Sequence, residues 1–188
     1  MATNKKVIRA ILIIVALLAG WALFFHFYPV DELVNDIGIQ NTYFVAFMLA
    51  VIGGFSSITG TSVYAALVAL AHAGVNPLVL GLVGGLGLFV SDSIFYFVLV
   101  KMRSIITHIT DRWDRWFRRI WKLVYRMPKW VVYGVIFLYA AFSPLPNDII
   151  LAVLALSNYS YRQFAPFLFL GDVTVALMLT YFGGTIWM

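Results

Sequence analysis

Cysteine is missing altogether and charge is scarce: none of the 188 residues is Cys, and Asp, Glu, Lys and Arg together make up 11%. The first absence excludes disulfides and thiolate metal sites, and leaves the redox compartment open. The second lies far below the roughly 25% charged residues of an ordinary water-facing domain. Histidine is down to three residues, and none stands near an acid of the apolar segments. No nucleophile–base pair or metal-ligand cluster can be built from such a set. The chain therefore reads as no enzyme, with no cofactor and no metal.

What remains is apolar: 63% hydrophobic, with a mean hydropathy of +0.94. This excludes a soluble domain of this size and implies an integral, multi-pass, all-α membrane protein. The net charge of +5 does not mark a nucleic-acid binder, because the cations are confined. All 13 Lys and Arg fall in three places: Lys5, Lys6 and Arg9, then residues 101–129, then Arg162. Cations at the flanks of apolar runs mark the cytoplasmic side of a membrane, the plasma or inner membrane in a prokaryote.

Residues 10–28 are long enough to span a bilayer. The basic residues before them resemble the start of a signal peptide, but no small-residue cleavage site follows, so the segment reads as a retained transmembrane helix with its amino end inside. It ends in Phe24-Phe25-His26-Phe27-Tyr28-Pro29, where His26 reads as an interfacial histidine. Asp31, Glu32 and Asp36 mark a short acidic loop outside. From 43 to 100 the only Asp, Glu, Lys or Arg is Asp92, and the segment must finish inside at Lys101. An odd number of crossings is required, and three would need about 60 residues plus turns. The interruptions Gly53-Gly54-Phe55-Ser56-Ser57-Ile58-Thr59-Gly60-Thr61-Ser62 and Gly74-Val75-Asn76-Pro77 fall in the wrong places for three. The expectation is a re-entrant hairpin over 43–73, turning near Thr59-Gly60 and returning from Thr61-Ser62. A transmembrane helix over 77–100 follows, with glycines 81, 84, 85 and 87 on a face suited to close packing.

Residues 104–127 differ in kind. Trp113, Trp116, Phe117, Ile120, Trp121 and Val124 recur at helical spacing, while Arg112, Arg115, Arg118, Arg119, Lys122 and Arg126 fill the other face. This pattern predicts an amphipathic helix in the cytoplasmic interface, either as a plain anchor or with its cations gathering lipid headgroups. A second hairpin is expected over 130–157. There Pro144 and Pro146, after Ser143, withdraw backbone donors and break the helix, while Asn147 and Asp148 suit the start of a new one. Broken backbone at membrane depth survives only where protein buries it or it lines a wet cavity, which makes the break a candidate site. Arg162 holds the next turn inside, and residues 163–186 cross outward with Asp172 near their middle.

An offset of 86 residues lays the second half on the first: Ser57 meets Ser143, Ala66 meets Ala152, Leu82 meets Leu168 and Gly85 meets Gly171. Each half is a re-entrant hairpin followed by one crossing, and the charges put the halves in opposite orientations. Inverted repeats with broken helices meeting at the midplane are a transporter architecture.

The order of hairpin, turn, Gly-rich crossing with Ser91-Asp92-Ser93-Ile94-Phe95-Tyr96, basic interfacial helix, second hairpin with Phe142-Ser143-Pro144 and final crossing resembles the DedA superfamily, the VTT or SNARE-associated domain membrane proteins. The resemblance spans roughly residues 40 to 185 and implies a lipid-handling protein, since members are linked to recycling of a polyprenyl phosphate carrier or to phospholipid scrambling. Members commonly carry Pro-x-Pro-Gly-Glu in the first hairpin and Arg-Phe-x-Pro-x-x-Arg in the second. Here the first reads Ser57-Ile58-Thr59-Gly60-Thr61, keeping the glycine. The second reads Ala141-Phe142-Ser143-Pro144-Leu145-Pro146-Asn147, keeping Phe and Pro but neither Arg.

The implied function is flippase- or scramblase-like translocation of a phosphate-bearing lipid, with membrane lipids as partners, no nucleic acid, and a homo-oligomer left open. Acids within apolar segments are costly and functional by default. Asp148, with Asp172 behind it, is expected to exchange a proton against the lipid phosphate, with Asp92 as the third acid of the path; capping alone is the plainer role for Asp148. A proton-coupled exporter of small amphipathic cations and a non-transporting assembly protein are the alternatives. The topology predicts that alkaline phosphatase fused to the carboxyl terminus is active, and an inactive fusion on a folded protein removes the assigned polarity.

Overall fold

The computed structural model of the protein describes residues 39–54, 57–109, 126–143, 147–157 and 159–186. Among these the chain forms six helices and no strand. They are α1 Ile39–Gly53, α2 Ser57–His72, α3 Pro77–Ile109, α4 Lys129–Phe142, α5 Asn147–Leu156 and α6 Tyr161–Ile186. The expected helix over 10–28 lies outside the described residues, as do Arg112, Arg115, Arg118, Arg119 and Lys122 of the basic segment, and Pro144 and Pro146 of the second break.

Local chemistry sets several of the helix ends. Gly74, at φ 88, closes α2 in the left-handed conformation that glycine adopts without strain. Its N–H donates to the Ala71 carbonyl at 3.2 Å, and the Val75 N–H reaches the Leu70 carbonyl at 3.3 Å. These two bonds, with Val75 and Leu70 both buried in one cluster, make a Schellman ending. Asn76 then caps α3, its Oδ1 accepting from the N–H groups of Leu78 at 3.0 Å and Val79 at 3.3 Å, and Pro77 takes the first helical position. α5 ends in a similar way, with the Tyr159 N–H on the Leu154 carbonyl at 3.1 Å.

Two expected boundaries move. The first hairpin breaks at Gly53-Gly54 rather than Thr59-Gly60, and Thr59 and Gly60 lie inside the first turn of α2. Two adjacent glycines cost more helix stability than the single Gly60, at about 1 kcal/mol each, so the chain gives way at the pair. The crossing helix also runs past residue 100 to Ile109, taking in the start of the segment expected as a separate interfacial helix. Nothing between Val100 and Ile109 breaks a helix, and Lys101, Met102 and Arg103 are good helix formers. At 33 residues α3 is about 50 Å long, against a hydrocarbon thickness of about 30 Å.

The long helices α3 and α6 form the centre and run antiparallel. The Thr180 hydroxyl of α6 donates to the Pro77 carbonyl at 2.9 Å at one end, and Ser93 and Tyr161 share a hydroxyl hydrogen bond towards the other. Missing side chains allow the close approach. A Cβ on Gly85 would fall 2.5 Å from the Val173 Cα, and one on Gly81 would fall 2.9 Å from the Leu177 Cα. α1 packs chiefly on α3, and α4 on α6, while α2 reaches across to α6 and α5 to α3. Exchanging α1, α2 and α3 with α4, α5 and α6 leaves that pattern unchanged. The glycine contacts obey the same exchange: a Cβ on Gly87 would meet the Ala50 Cβ at 2.6 Å and the Phe47 carbonyl at 2.8 Å, and one on Gly171 would meet the Ala140 Cβ at 2.5 Å and the Phe137 carbonyl at 3.2 Å. The counterpart of Gly171 in packing is thus Gly87 rather than Gly85.

The interior divides in two. Ala46, Ala50, Val63, Leu67, Leu70, Val75, Leu80, Leu88 and Ala176 form one cluster; Tyr96, Val132, Ile136, Ala140, Leu151, Leu154, Ala155, Tyr159, Phe164 and Leu168 form the other. The outer faces are apolar as well, with Phe44, Met48 and Ile52 exposed along α1, Leu82, Leu86 and Phe97 along α3, and Leu170, Met178 and Phe182 along α6. Among the described residues α3 and α6 are the two helices long and apolar enough to cross a membrane. An outer surface of this kind suits contact with lipid or with a partner protein.

Gly171→Val is expected to destabilise the fold by about 1–3 kcal/mol through overpacking against α4. Gly134→Ala, on a helical position with open space around it, is expected to stabilise by about 0.5–1 kcal/mol. Thermal unfolding in detergent checks both.

Candidate functional site

Along α3, Leu88 belongs to the first cluster and Tyr96 to the second; along α6, Leu168 belongs to the second and Ala176 to the first. Four residues from each, on the same helical face, stand Asp92 and Asp172. The two acids therefore form the polar layer between the cores. Asp92 is 5% exposed and Asp172 1%.

A single amide joins them. The Asn147 Nδ2 donates to the Asp92 Oδ2 at 3.0 Å and lies 3.4 Å from the Asp172 Oδ1. Asn147 is the first residue of α5, so the break after α4 is what brings this donor into the layer. α4 stops at Phe142, where Ser143 turns extended (φ −76, ψ 131) and its N–H goes to the Tyr139 carbonyl at 3.0 Å. Asp148 follows, half-buried in the first turn of α5, where a carboxylate meets the positive end of the helix dipole. It stands within the helix rather than at its cap, and the buried pair is Asp92 with Asp172, not Asp148 with Asp172.

The other break borders the same turn of α3. A Cβ on Gly54 would lie 3.1 Å from the Ser91 Oγ. Ser91 is fully buried, and among the described residues its hydroxyl has no partner. The Asp172 Oδ2 is likewise buried without one. From α2, the Tyr64 phenol lies within electrostatic reach of Asp172, Asp92 and Asp148. Lys101, Arg126, Lys129, Arg162 and His72 are all exposed. Among the described residues no group of three His, Cys, Asp or Glu could hold a metal ion.

Of the residues singled out from the sequence, Asp92, Asp172 and Asn147 come together here, with Asp148 and Ser143 at the edge. Thr61 and Ser62 face outward on α2, and Gly60 has open space where a Cβ would be. Tyr64 was not foreseen. Its only signal in the sequence is a hydroxyl-bearing ring two helical turns into α2, and nothing local says which way it faces. No protein-family model, curated protein or solved structure matches this chain.

Two carboxyl groups taken out of water, with one amide between them, can exchange a proton or take up a positive charge. Ionised together, they have among the described residues the N–H donors of Asn147 alone, and burying charge without partners costs several kcal/mol. Asn147→Leu is expected to destabilise the protein at neutral pH by about 1.5–3 kcal/mol, and by less at acid pH, where protonated acids need no donor. Repeating the substitution in an Asp92→Asn/Asp172→Asn background should remove most of the loss. Thermal unfolding across pH measures both effects.

Proposed function

We propose that the protein is a multi-pass membrane transporter that moves a phosphate-bearing lipid across the bilayer, with protonation of Asp92 and Asp172 as the coupling step. The observation that carries this reading is the Asn147 amide on two buried acids between two helical sets of equivalent packing. In this reading the sets α1–α3 and α4–α6 are inverted repeats, the helix pairs α1–α2 and α4–α5 are re-entrant hairpins, and α3 and α6 are the crossings. The amino end and the basic segment face the cytoplasm and the carboxyl end faces out. The antiparallel centre and the breaks at Gly53-Gly54 and after Phe142 support it. So does the resemblance to the DedA superfamily, whose lipid-handling role it adopts.

The chemistry follows from charge. An ionised pair at the N-terminus of α5 repels a phosphate, whereas a protonated pair removes that repulsion and leaves the helix end free to favour the anion. Lipid phosphate and protons then move together. The exporter of amphipathic cations stays as the second reading, favoured by three carboxyl groups in apolar helices while Lys101, Arg126, Lys129, Arg162 and His72 stand exposed.

Proteoliposomes with a fluorescent polyprenyl or glycerophospholipid phosphate in one leaflet separate the two. Wild-type protein is expected to move the lipid at a rate set by pH, and Asp92→Asn/Asp172→Asn protein to lose that pH dependence with its fold intact. Transport of an amphipathic cation without lipid movement would instead establish the exporter. Movement of neither, by a folded protein, removes transport altogether.

A further inference from the structure

The polar layer holds more oxygen than its hydrogen bonds use. The Asn147 Nδ2 lies 3.0 Å from the Asp92 Oδ2 and 3.4 Å from the Asp172 Oδ1, so one point is flanked by an oxygen of each acid. The Asp172 Oδ2, on the same carboxyl group, is buried without a partner among the described residues. So is the hydroxyl of Ser91, next to Asp92 in the chain. A buried polar group left unsatisfied costs about 1–3 kcal/mol, and more when it is charged. An ionised carboxylate oxygen can only accept, so a proton donor or a cation must relieve it.

We propose that Asp92 and Asp172 together bind one alkali metal cation of the Na⁺ type, which gives the Asp172 Oδ2 the positive partner it lacks. Asn147 is the neutral ligand. The two ends of its amide differ little in shape, and turning it puts an oxygen where two acids now share a donor. The number of ligands argues against a divalent ion. Two oxygens from each carboxylate and one from the amide make five at most, whereas Ca²⁺ takes 6–8 and Mg²⁺ keeps several of its waters. Among the described residues no group of three His, Cys, Asp or Glu could hold a metal ion. Apolar clusters on both sides of the layer make retained water costly.

A cation needs its carboxylates ionised, so a proton competes with it. The titratable groups around the layer are Asp92 on α3, Asp172 on α6, Asp148 on α5, Tyr64 on α2 and Tyr139 on α4. Tyr43 of α1 packs on the first core cluster, and Lys101, Arg126, Lys129, Arg162 and His72 are exposed. The cation has its purpose from the transport reading: bound between the acids, it lessens the same repulsion of a lipid phosphate that protonation removes.

Binding is tested without transport, on the full chain in detergent, by equilibrium binding of radioactive Na⁺ and by thermal unfolding as NaCl replaces choline chloride at constant ionic strength. The wild type is expected to bind one Na⁺ per chain at alkaline pH and to unfold at higher temperature as Na⁺ rises. Affinity should fall about tenfold per pH unit once the pair takes up a proton. Asp92→Asn and Asp172→Asn should each abolish the binding, and Asp148→Asn should keep it. Equal unfolding in Na⁺ and choline, binding that ignores pH, or binding lost in folded Asp148→Asn but kept in Asp172→Asn overturns the site. Displacement of Na⁺ by trace Ca²⁺ overturns it too. If the Asp92 and Asp172 variants fail to fold, the wild-type stoichiometry, its loss at acid pH and the Asp148→Asn protein decide. Na⁺ bound while no lipid moves keeps the site and removes transport; lipid that moves with pH while no Na⁺ binds removes the site and keeps transport.

Discussion

Two carboxyl groups facing each other out of water need a donor between them, and much of this structure follows from supplying one. Asp92 and Asp172 sit at equal spacings from the two core clusters on antiparallel helices, so neither cluster can extend through the layer they occupy. No backbone donor can come from α3 or α6, whose N–H groups are spent within their own helices. It comes instead from a helix that starts at that depth. Breaking the chain after Phe142 and restarting it at Asn147 is the structural cost of placing one amide there.

The breaks depend in turn on close packing at the centre. Gly85 against Val173, Gly87 against Ala50 and Gly171 against Ala140 let the long helices and their outer neighbours approach to distances that a Cβ would forbid. The short helices α2 and α5 then reach across to the opposite long helix. Packing repeats between the halves, whereas chemistry does not. In the packing exchange Asp172, beside Gly171, corresponds to Leu88, and neither acid is the counterpart of the other. Only one half offers the amide.

The helical class, the low charge and the apolar surface were all legible in composition, because a shortage of charged residues leaves too little polar area to face water. The turn at Gly74-Val75-Asn76-Pro77 was legible too, since a left-handed glycine, an asparagine cap and a proline in the first helical turn act within a few residues of themselves. Thr59-Gly60 shows the limit of such reasoning. Gly60 and the Gly53-Gly54 pair are both weak points, and choosing between them requires the relative cost of two breaks in a packed setting. The offset of 86 matched letters, whereas the matching of Gly87 with Gly171 depends on what each glycine touches.

The site divides along the same line. By itself the sequence determined that Asp92, Asp148 and Asp172 lie in apolar segments and that the chain breaks before Asn147, because hydropathy and proline act locally. Only the tertiary structure decided that Asp92 and Asp172 share Asn147, that Asp148 stands aside in the first turn of α5, and that Tyr64 of α2 comes within electrostatic reach of them. Those facts rest on the antiparallel register of α3 against α6 and on α5 leaning across to α3. Both are products of side-chain packing between residues far apart in the chain, and no periodicity or spacing records them.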